Sequence, residues 1–433
     1  MKENKLIVVF LILALAIRVF FVFFLRPPEK CLESDMKWYY QKSLQISLGK
    51  SEDITDTLHP PGTQYLYTPF LKTSTPFLWI KLLNALMSTL TCAFIFFAAK
   101  IIFNRRAACI ALFIAGFDYL LIDYTGYFLS ETPFAFCLSV MFYFLAKSIC
   151  CQSSMHRRIF AFLGGIALVL SASFKATILL FVPLFGLWWI LNCKKYKIAS
   201  NGLYYMLGFL PLYLALCLRV FALSGNFGTI STMAGLNFYV GRAHVKWVYL
   251  HDINRHYNFR FASPVACSKQ YARDVSFDAG PYDSSFFLKE GIKEMREDIS
   301  KTIGYSVEYL YDLFFSEDIF PSGTRSIQYF NLAFCALVIL PALALLGIRF
   351  KSIASSPQAI SYLAFLTILI TTAIFHGETR YRIPYDIFLI IPAGYFYSLI
   401  NFEEIRCRVN LTQNSAVQLL MRRLINPVGR SGA

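Results

Sequence analysis

Charge is what this sequence has least of. Asp, Glu, Lys and Arg make up 15% of its 433 residues, against about 25% in an ordinary soluble domain. Hydrophobic residues reach 57%, aromatics 17% and mean hydropathy +0.52. Such a composition excludes a soluble enzyme and an intrinsically disordered chain. Recognisable cofactor and nucleophile motifs are also missing. The sequence has no Gly-x-Gly-x-x-Gly loop, Walker-type phosphate loop, Gly-x-Ser-x-Gly elbow or Cys-x-x-Cys pair, which argues against an ATP-driven pump and a serine hydrolase. Internal repeats and low-complexity tracts are absent too. Acids are the scarcer charge, 26 against 41 bases, leaving a net +15. An excess of this size suits nucleic acid or a membrane face, and topology separates the two.

What the sequence does have is long apolar runs near the roughly 20 residues that cross a bilayer. They predict an all-α polytopic membrane protein with ten spans: 5–25, 78–102, 107–122, 128–146, 159–174, 177–192, 203–222, 327–347, 359–375 and 384–401. Gly164-Gly165 and Lys175 divide 159–192 into a tight helix pair that turns at the lysine. No small-residue cleavage site follows the first run, so it is expected to be a retained helix. Arg105-Arg106, Lys147, Arg157-Arg158, Lys194-Lys195, Lys197, Arg349, Lys351 and the tail arginines all fall on one side. The positive-inside rule makes that side cytoplasmic, with both termini there. Its excess of bases is as large as the whole net charge, so the +15 is a topology signal and implies no nucleic-acid partner. The final 30 residues read as a basic cytoplasmic tail lying on anionic lipid, and membrane lipids are expected partners.

The opposite face receives the two long connections, 26–77 and 223–326. The first opens with a juxtamembrane helix from Asp35 to Leu48, whose Trp38, Tyr39 and Tyr40 suit an interface, and closes on the rigid turn His59-Pro60-Pro61-Gly62. The second is of mixed structure. Its last third carries Leu288, Ile292, Met295, Ile299, Ile303 and Val307 at helical spacing, which predicts an amphipathic helix. Cys31 and Cys267 both fall on this face, where an oxidising compartment would let them pair. His251 and His256 are five apart, a poor spacing for zinc.

Ionisable residues at membrane level are costly and therefore functional candidates. They gather at one depth: Arg18, Lys81, Asp118, Asp123, Glu131, Lys175, Arg219 and the run His376-Gly-Glu378-Thr-Arg380-Tyr-Arg382. Snorkelling to headgroups is the competing account, and it serves Arg18, Lys81 and Arg219 at least as well. Two arginines spaced i, i+2 before a proline suggest a compact cationic fork for phosphate. Asp35 reads equally as a helix N-cap or a base, and Glu131 as a helix-start acid or a site carboxylate.

In their order, these residues resemble the C-type (GT-C) integral-membrane glycosyltransferases, the group of protein O-mannosyltransferases and lipid A aminoarabinose transferase. The motifs run Ala-Ile-Arg18-Val, Ser-Asp35-Met-Lys-Trp-Tyr39-Tyr40, His59-Pro-Pro-Gly62, Leu129-Ser-Glu131-Thr, Ser-Phe-Lys175-Ala-Thr, Gly235-Leu-Asn237-Phe-Tyr-Val-Gly241 and Arg380-Tyr-Arg382-Ile-Pro384. The chain departs from the family at Arg242, where many relatives carry Asn, and at Asp118, where they often carry Pro.

The resemblance implies a GT-C fold: a transmembrane module 1–222 with first external loop 26–77, an extracytoplasmic loop 223–326, C-terminal helices 327–402 and a basic cytoplasmic tail 403–433. It implies a bacterial inner-membrane enzyme, its site facing the periplasm, that moves a sugar from a polyprenyl-phosphate donor to a hydroxyl of a glycan, lipid or protein. Lipopolysaccharide or protein glycosylation is the expected setting. Asp35 is then the expected base, with Glu131 orienting a substrate. Lys175, Arg380, Arg382 and Arg242 are the expected donor-phosphate cations, and Tyr39, Tyr40, His59, His376 and Glu378 support them. The residues commit to no cofactor; a divalent cation at Glu131 is left open. A flippase of lipid-linked sugars and an O-antigen ligase or polymerase are the alternative readings.

Overall fold

The structure, a computed structural model, describes residues 2–196, 198, 200–243, 246–251, 257–262, 273–277, 279–316 and 325–400. Helix α1 (Lys2–Phe20) runs on through a π-helical turn, and α2 (Ser34–Ser47) and α3 (Gly62–Leu71) fill the first connection. Then follow α4 (Pro76–Ile102), α5 (Arg105–Phe117), α6 (Tyr119–Asp123), α7 (Glu131–Cys150), α8 (Ser154–Phe174), α9 (Phe181–Tyr196) and α10 (Asn201–Ser224). The second connection holds α11 (Ala234–Ala243), the strands β1 (Lys246–His251), β2 (Tyr257–Ala262) and β3 (Arg273–Phe277), α12 (Ser284–Glu297) and α13 (Ile299–Phe315). The strands form an antiparallel meander, Lys246 opposite Ala262 and Tyr257 opposite Phe277. Last come α14 (Arg325–Phe334), α15 (Leu340–Ala354), α16 (Ala359–Ile374), α17 (Thr379–Arg382) and α18 (Ile387–Leu399).

Seven helical segments among the described residues are long and apolar enough to cross a membrane, and the α5–α6 pair, bent by 53°, makes an eighth. The other two of the ten expected spans are the shorter apolar helices α16 and α18. The chain is an integral membrane protein. The division at Lys175 is as the sequence suggested, α8 ending at Phe174. Gly165, however, lies inside α8, where a Cβ would collide with the carbonyl of Tyr205 on α10; Gly208 of α10 meets Phe162 in the same way. Lipid gives helices no hydrophobic reason to associate, so such small residues hold them by close backbone approach.

Three of the solitary cations are structural, and none snorkels. Arg18 is fully buried and donates to Ser88 Oγ (2.7 Å) and to the carbonyls of Gly116 (3.0 Å) and Ala115 (3.1 Å). These are the last carbonyls of α5, stranded where Asp118 breaks the helix and caps α6 through Leu120 N (3.0 Å). A cation there completes hydrogen bonds that lipid cannot supply. Lys81 pairs with Glu29 at 2.5 Å, and Arg219 with Glu52 at 2.5 Å. Asp123 pairs with Arg26 at 3.3 Å.

The two long connections share one end of the bundle, the loop-rich end, where Thr232 N donates to Thr57 O (2.8 Å). The single amphipathic helix expected over 288–307 is instead two helices, broken at Asp298, whose Oδ1 caps α13 through Lys301 N (2.8 Å). The apolar stripe of α13 faces outward: Ile299, Ile303 and Val307 are exposed, while Thr302, Tyr305, Tyr309 and Leu313 are buried. Cys267, His244, His256 and the tail 403–433 lie outside the described residues.

Candidate active site

Four elements converge at the loop-rich end, each for a local reason. Asp35 stands in the first turn of α2, after Glu33 at the N-cap position and Ser34 at φ 46°. It is therefore not the N-cap, and its carboxylate is available to a distant partner. Glu131 opens α7 and is buried. Lys175 follows α8 in extended conformation (φ −145°, ψ 118°), which stops the helix and turns the chain. Arg380 lies in the single turn α17 before Pro384. The His59-Pro60-Pro61-Gly62 turn packs against the Lys175 turn: a Cβ on Gly62 would stand 2.6 Å from Ser173 O. Only glycine permits that approach.

The four charges form one network. Arg380 Nη2 donates to Asp35 Oδ2 at 3.0 Å, and Arg380 Nε stands 3.5 Å from Glu131 Oε1. Lys175 Nζ donates to the same Glu131 oxygen at 2.9 Å. Two carboxylates thus face two cations with no net charge. Neutrality is what makes the burial tolerable, since an unpaired ion here would cost several kcal/mol. The side chains of Glu131 (2% exposed), Arg380 (11%) and Lys175 (12%) are enclosed, and Asp35 (35%) is the most open. Burial pushes the Asp35 carboxyl up, but Arg380, His59 and Lys175 outweigh it and hold the group below the ordinary carboxylate range. Burial pulls the Lys175 ammonium below the ordinary lysine range despite Glu131, and burial likewise pulls His59 down.

Aromatic side chains frame the network. The Tyr381 ring lies under both cations, 4.8 Å from Lys175 Nζ and 5.1 Å from the Arg380 guanidinium, a cation–π arrangement strengthened by exclusion of water. The sequence reading gave Tyr381 no role, although its position between two arginines was the available signal. Tyr39 is buried, and the His59 ring lies 4.6 Å from Trp38 and 5.4 Å from Tyr39. His376 reaches the network at one remove, Nε2 standing 3.3 Å from Tyr381 OH. Glu378 stands at the start of α17 without capping it through its side chain. Tyr40 is a packing residue, stacked on Phe77 and edge-on to Phe128 at 5.8 Å each.

The expected cationic fork does not form. Residues two apart on a helical turn point in different directions, so Arg382 turns into the bundle while Arg380 faces Asp35. Arg382 is fully buried; Nε lies 3.0 and 3.3 Å from the two oxygens of Asp386, Nη2 donates to Asn331 Oδ1 (2.6 Å) and Nη1 to Leu313 O (3.3 Å). Arg242 is engaged elsewhere as well, donating to Ser306 Oγ (3.1 Å) and Ala373 O (2.9 Å), which ties α11 to α13 and α16. Among the described residues, no three His, Cys, Asp or Glu side chains cluster as a metal site would require.

A helical membrane bundle with short helices filling the connection after its first span is the architecture observed, and its class is that of the GT-C fold. The likeness to solved structures carries that assignment. ArnT from Cupriavidus metallidurans in the apo state superposes with a TM-score of 0.54 at 13% identity, over 100% of this chain and 67% of that one. ArnT bound to undecaprenyl phosphate gives 0.53 at 13%, over 99% and 66%. The archaeal oligosaccharyltransferase AglB from Archaeoglobus fulgidus, in complex with an inhibitory peptide and a dolichol-phosphate, gives 0.53 at 14%, over 97% and 54%. The chain therefore spans about two thirds of the length of ArnT and half that of AglB. The profile of the dolichyl-phosphate-mannose-protein mannosyltransferase family matches residues 58–220. No curated protein sequence matches the chain.

Proposed function

We propose that this protein is a glycosyltransferase that moves a hexosyl or pentosyl group from a polyprenyl-phosphate donor to an acceptor hydroxyl on the extracytoplasmic face. On this reading the loop-rich end is extracytoplasmic, both termini are cytoplasmic, and the bacterial inner membrane is the setting. The module 1–222 and helices 327–402 enclose the donor, the connection 223–326 covers it, and the tail 403–433 lies on the cytoplasmic side. The acceptor is a glycan, lipid or protein. The likeness to ArnT bound to undecaprenyl phosphate and to AglB with a dolichol-phosphate supports a lipid-phosphate donor.

The observation that carries the proposal is the 3.0 Å contact between Asp35 and Arg380. The Asp35 carboxylate sits on the guanidinium as a phosphate oxygen would. A donor phosphate takes that place on Arg380, with Lys175 beside it, and releases Asp35. The acceptor oxygen then bonds to the anomeric carbon as the bond from that carbon to the phosphate oxygen breaks, its electrons leaving on the phosphate. The acceptor proton passes to Asp35. Arg380 and Lys175 face the charge that develops on the leaving group, where fixed cations act most strongly. Glu131 keeps both cations in place. Arg382 and Arg242 hold α17 and α11 without touching the donor.

Transfer of labelled sugar from a polyprenyl-phosphate donor in proteoliposomes tests this, comparing wild type with Asp35→Asn. The variant is expected to bind donor and lose transfer by about 10²-fold or more. Transfer at the full rate would remove Asp35 as the base, and translocation of the lipid without a covalent product would make the protein a flippase.

A further inference from the structure

The outward-facing stripe of α13 has no protein partner among the described residues, and the depth of the helix identifies its solvent. Ser306 Oγ donates to Ala373 O (2.7 Å), at the loop-rich end of α16. Eight residues on, the ring of Phe314 lies 6.4 Å from that of Phe365, eight residues back along α16. Helix α13 thus descends antiparallel to an apolar span by roughly 12 Å, two helical turns. Its lower end is fixed by Asn331 Nδ2, which donates to Phe314 O (2.6 Å) from inside the span Ile327–Ala354.

Side-chain chemistry changes along that descent. Beyond Lys301, the exposed positions of α13 are Ile303, Gly304, Val307, Tyr311 and Phe315, none of them charged. Water would not leave such a face bare. The neighbouring span likewise exposes Leu337 and Leu340. Helix α12, before the descent, presents Lys289, Lys293 and Arg296 with Glu297, interleaved with Leu288 and Ile292. That mixture suits headgroup phosphates above and acyl chains below.

We infer that α12 and α13 form a phospholipid-binding surface of the leaflet at the loop-rich end, with α13 inserted among the acyl chains and α12 among the headgroups. This surface is joined to the site. Asp312 O accepts from Thr379 Oγ1 (3.0 Å) and Leu313 O from Arg382 Nη1 (3.3 Å), so α13 holds α17 on both sides of Arg380. The bilayer is in this way part of the support for the arginine that faces Asp35. The inference concerns lipid contact and stands apart from the glycosyl-transfer reading.

Photo-crosslinking of the full chain in nanodiscs of phosphatidylcholine and phosphatidylglycerol tests it. A benzophenone amino acid replaces Val307 in one variant and Leu337, a lipid-facing position of the span, in another. Intact mass after irradiation is expected to show a phospholipid adduct at position 307 in a yield comparable to that at 337. An adduct at 337 with none at 307 would place α13 in water and overturn the inference. A covalent dimer at 307 would overturn it as well, by making the stripe a contact between copies.

Discussion

Arg382 and Arg380 are two residues apart, yet the structure gives them opposite duties, and substitution separates them. In Arg382→Gln the Asp386 carboxylate stays fully buried and loses both of its contacts with the guanidinium, at 3.0 and 3.3 Å. Removing one partner of a buried pair costs about 3–5 kcal/mol, a large share of the roughly 5–15 kcal/mol that holds a protein folded. Asn331 Oδ1 and Leu313 O lose their donor too, which argues for the upper part of that range. Replacing Asp386 by Asn in the same chain removes the orphaned charge, so the double variant should recover about 2 kcal/mol or more, a coupling typical of residues in direct contact. Thermal unfolding in detergent micelles reads the stability, and sugar transfer per folded molecule reads the chemistry. The expected pattern is a marked fall in unfolding temperature for Arg382→Gln, partial recovery in the double variant, and transfer per folded molecule reduced in both far less than in Asp35→Asn. An Arg382→Gln protein as stable as wild type yet unable to transfer sugar would refute the reasoning and return Arg382 to the donor phosphate.

The pH profile of kcat/KM for the donor, which reports the groups of the donor-free protein, should be bell-shaped. Its acid limb lies below the ordinary carboxylate range, because Asp35 must be ionised to accept a proton and is held low; its alkaline limb lies below the ordinary lysine range, because Lys175 must be protonated and burial pulls it down. Lys175→Arg, whose guanidinium keeps its charge, should move the alkaline limb up and leave the acid limb in place. Gly165→Val should prevent α8 and α10 from closing and cost at least the 1–3 kcal/mol or so of an overpacked core, seen as a lower unfolding temperature. Arg18→Leu should strand the α5 carbonyls and Ser88 at a cost of about 1–3 kcal/mol for each buried group left unsatisfied, again read by thermal unfolding.

Much of this architecture was legible because a bilayer imposes a simple rule on sequence. Apolar runs fix the helices, and a lone lysine between two of them can only mark a turn, which is why Lys175 was found. Glu131 and Arg380 were legible for a related reason, since charges at membrane level need partners. What the sequence could not supply was which partner. By spacing alone Arg382 is half of a fork, because the sequence does not show that α17 is a helical turn, although Asp386 four residues on is the visible clue. Spacing alone also leaves open which way the stripe on 288–307 faces, since the rule that sends apolar residues inward is made for water. Where the surroundings are hydrocarbon, an amphipathic helix turns its polar and aromatic side to the protein, and the same spacing carries the opposite meaning.

The neutrality of the four-charge network has a consequence for timing. Two carboxylates and two cations sum to zero while Asp35 is ionised, and to one positive charge once it holds the acceptor proton. In the proposed reaction that proton arrives as the departing phosphate gains its second negative charge. The electric field of the site therefore rises in step with the need for it and falls when Asp35 gives the proton up. In that proposed reaction, release of the spent lipid phosphate is tied to deprotonation of Asp35, and resetting the carboxylate is what frees the product.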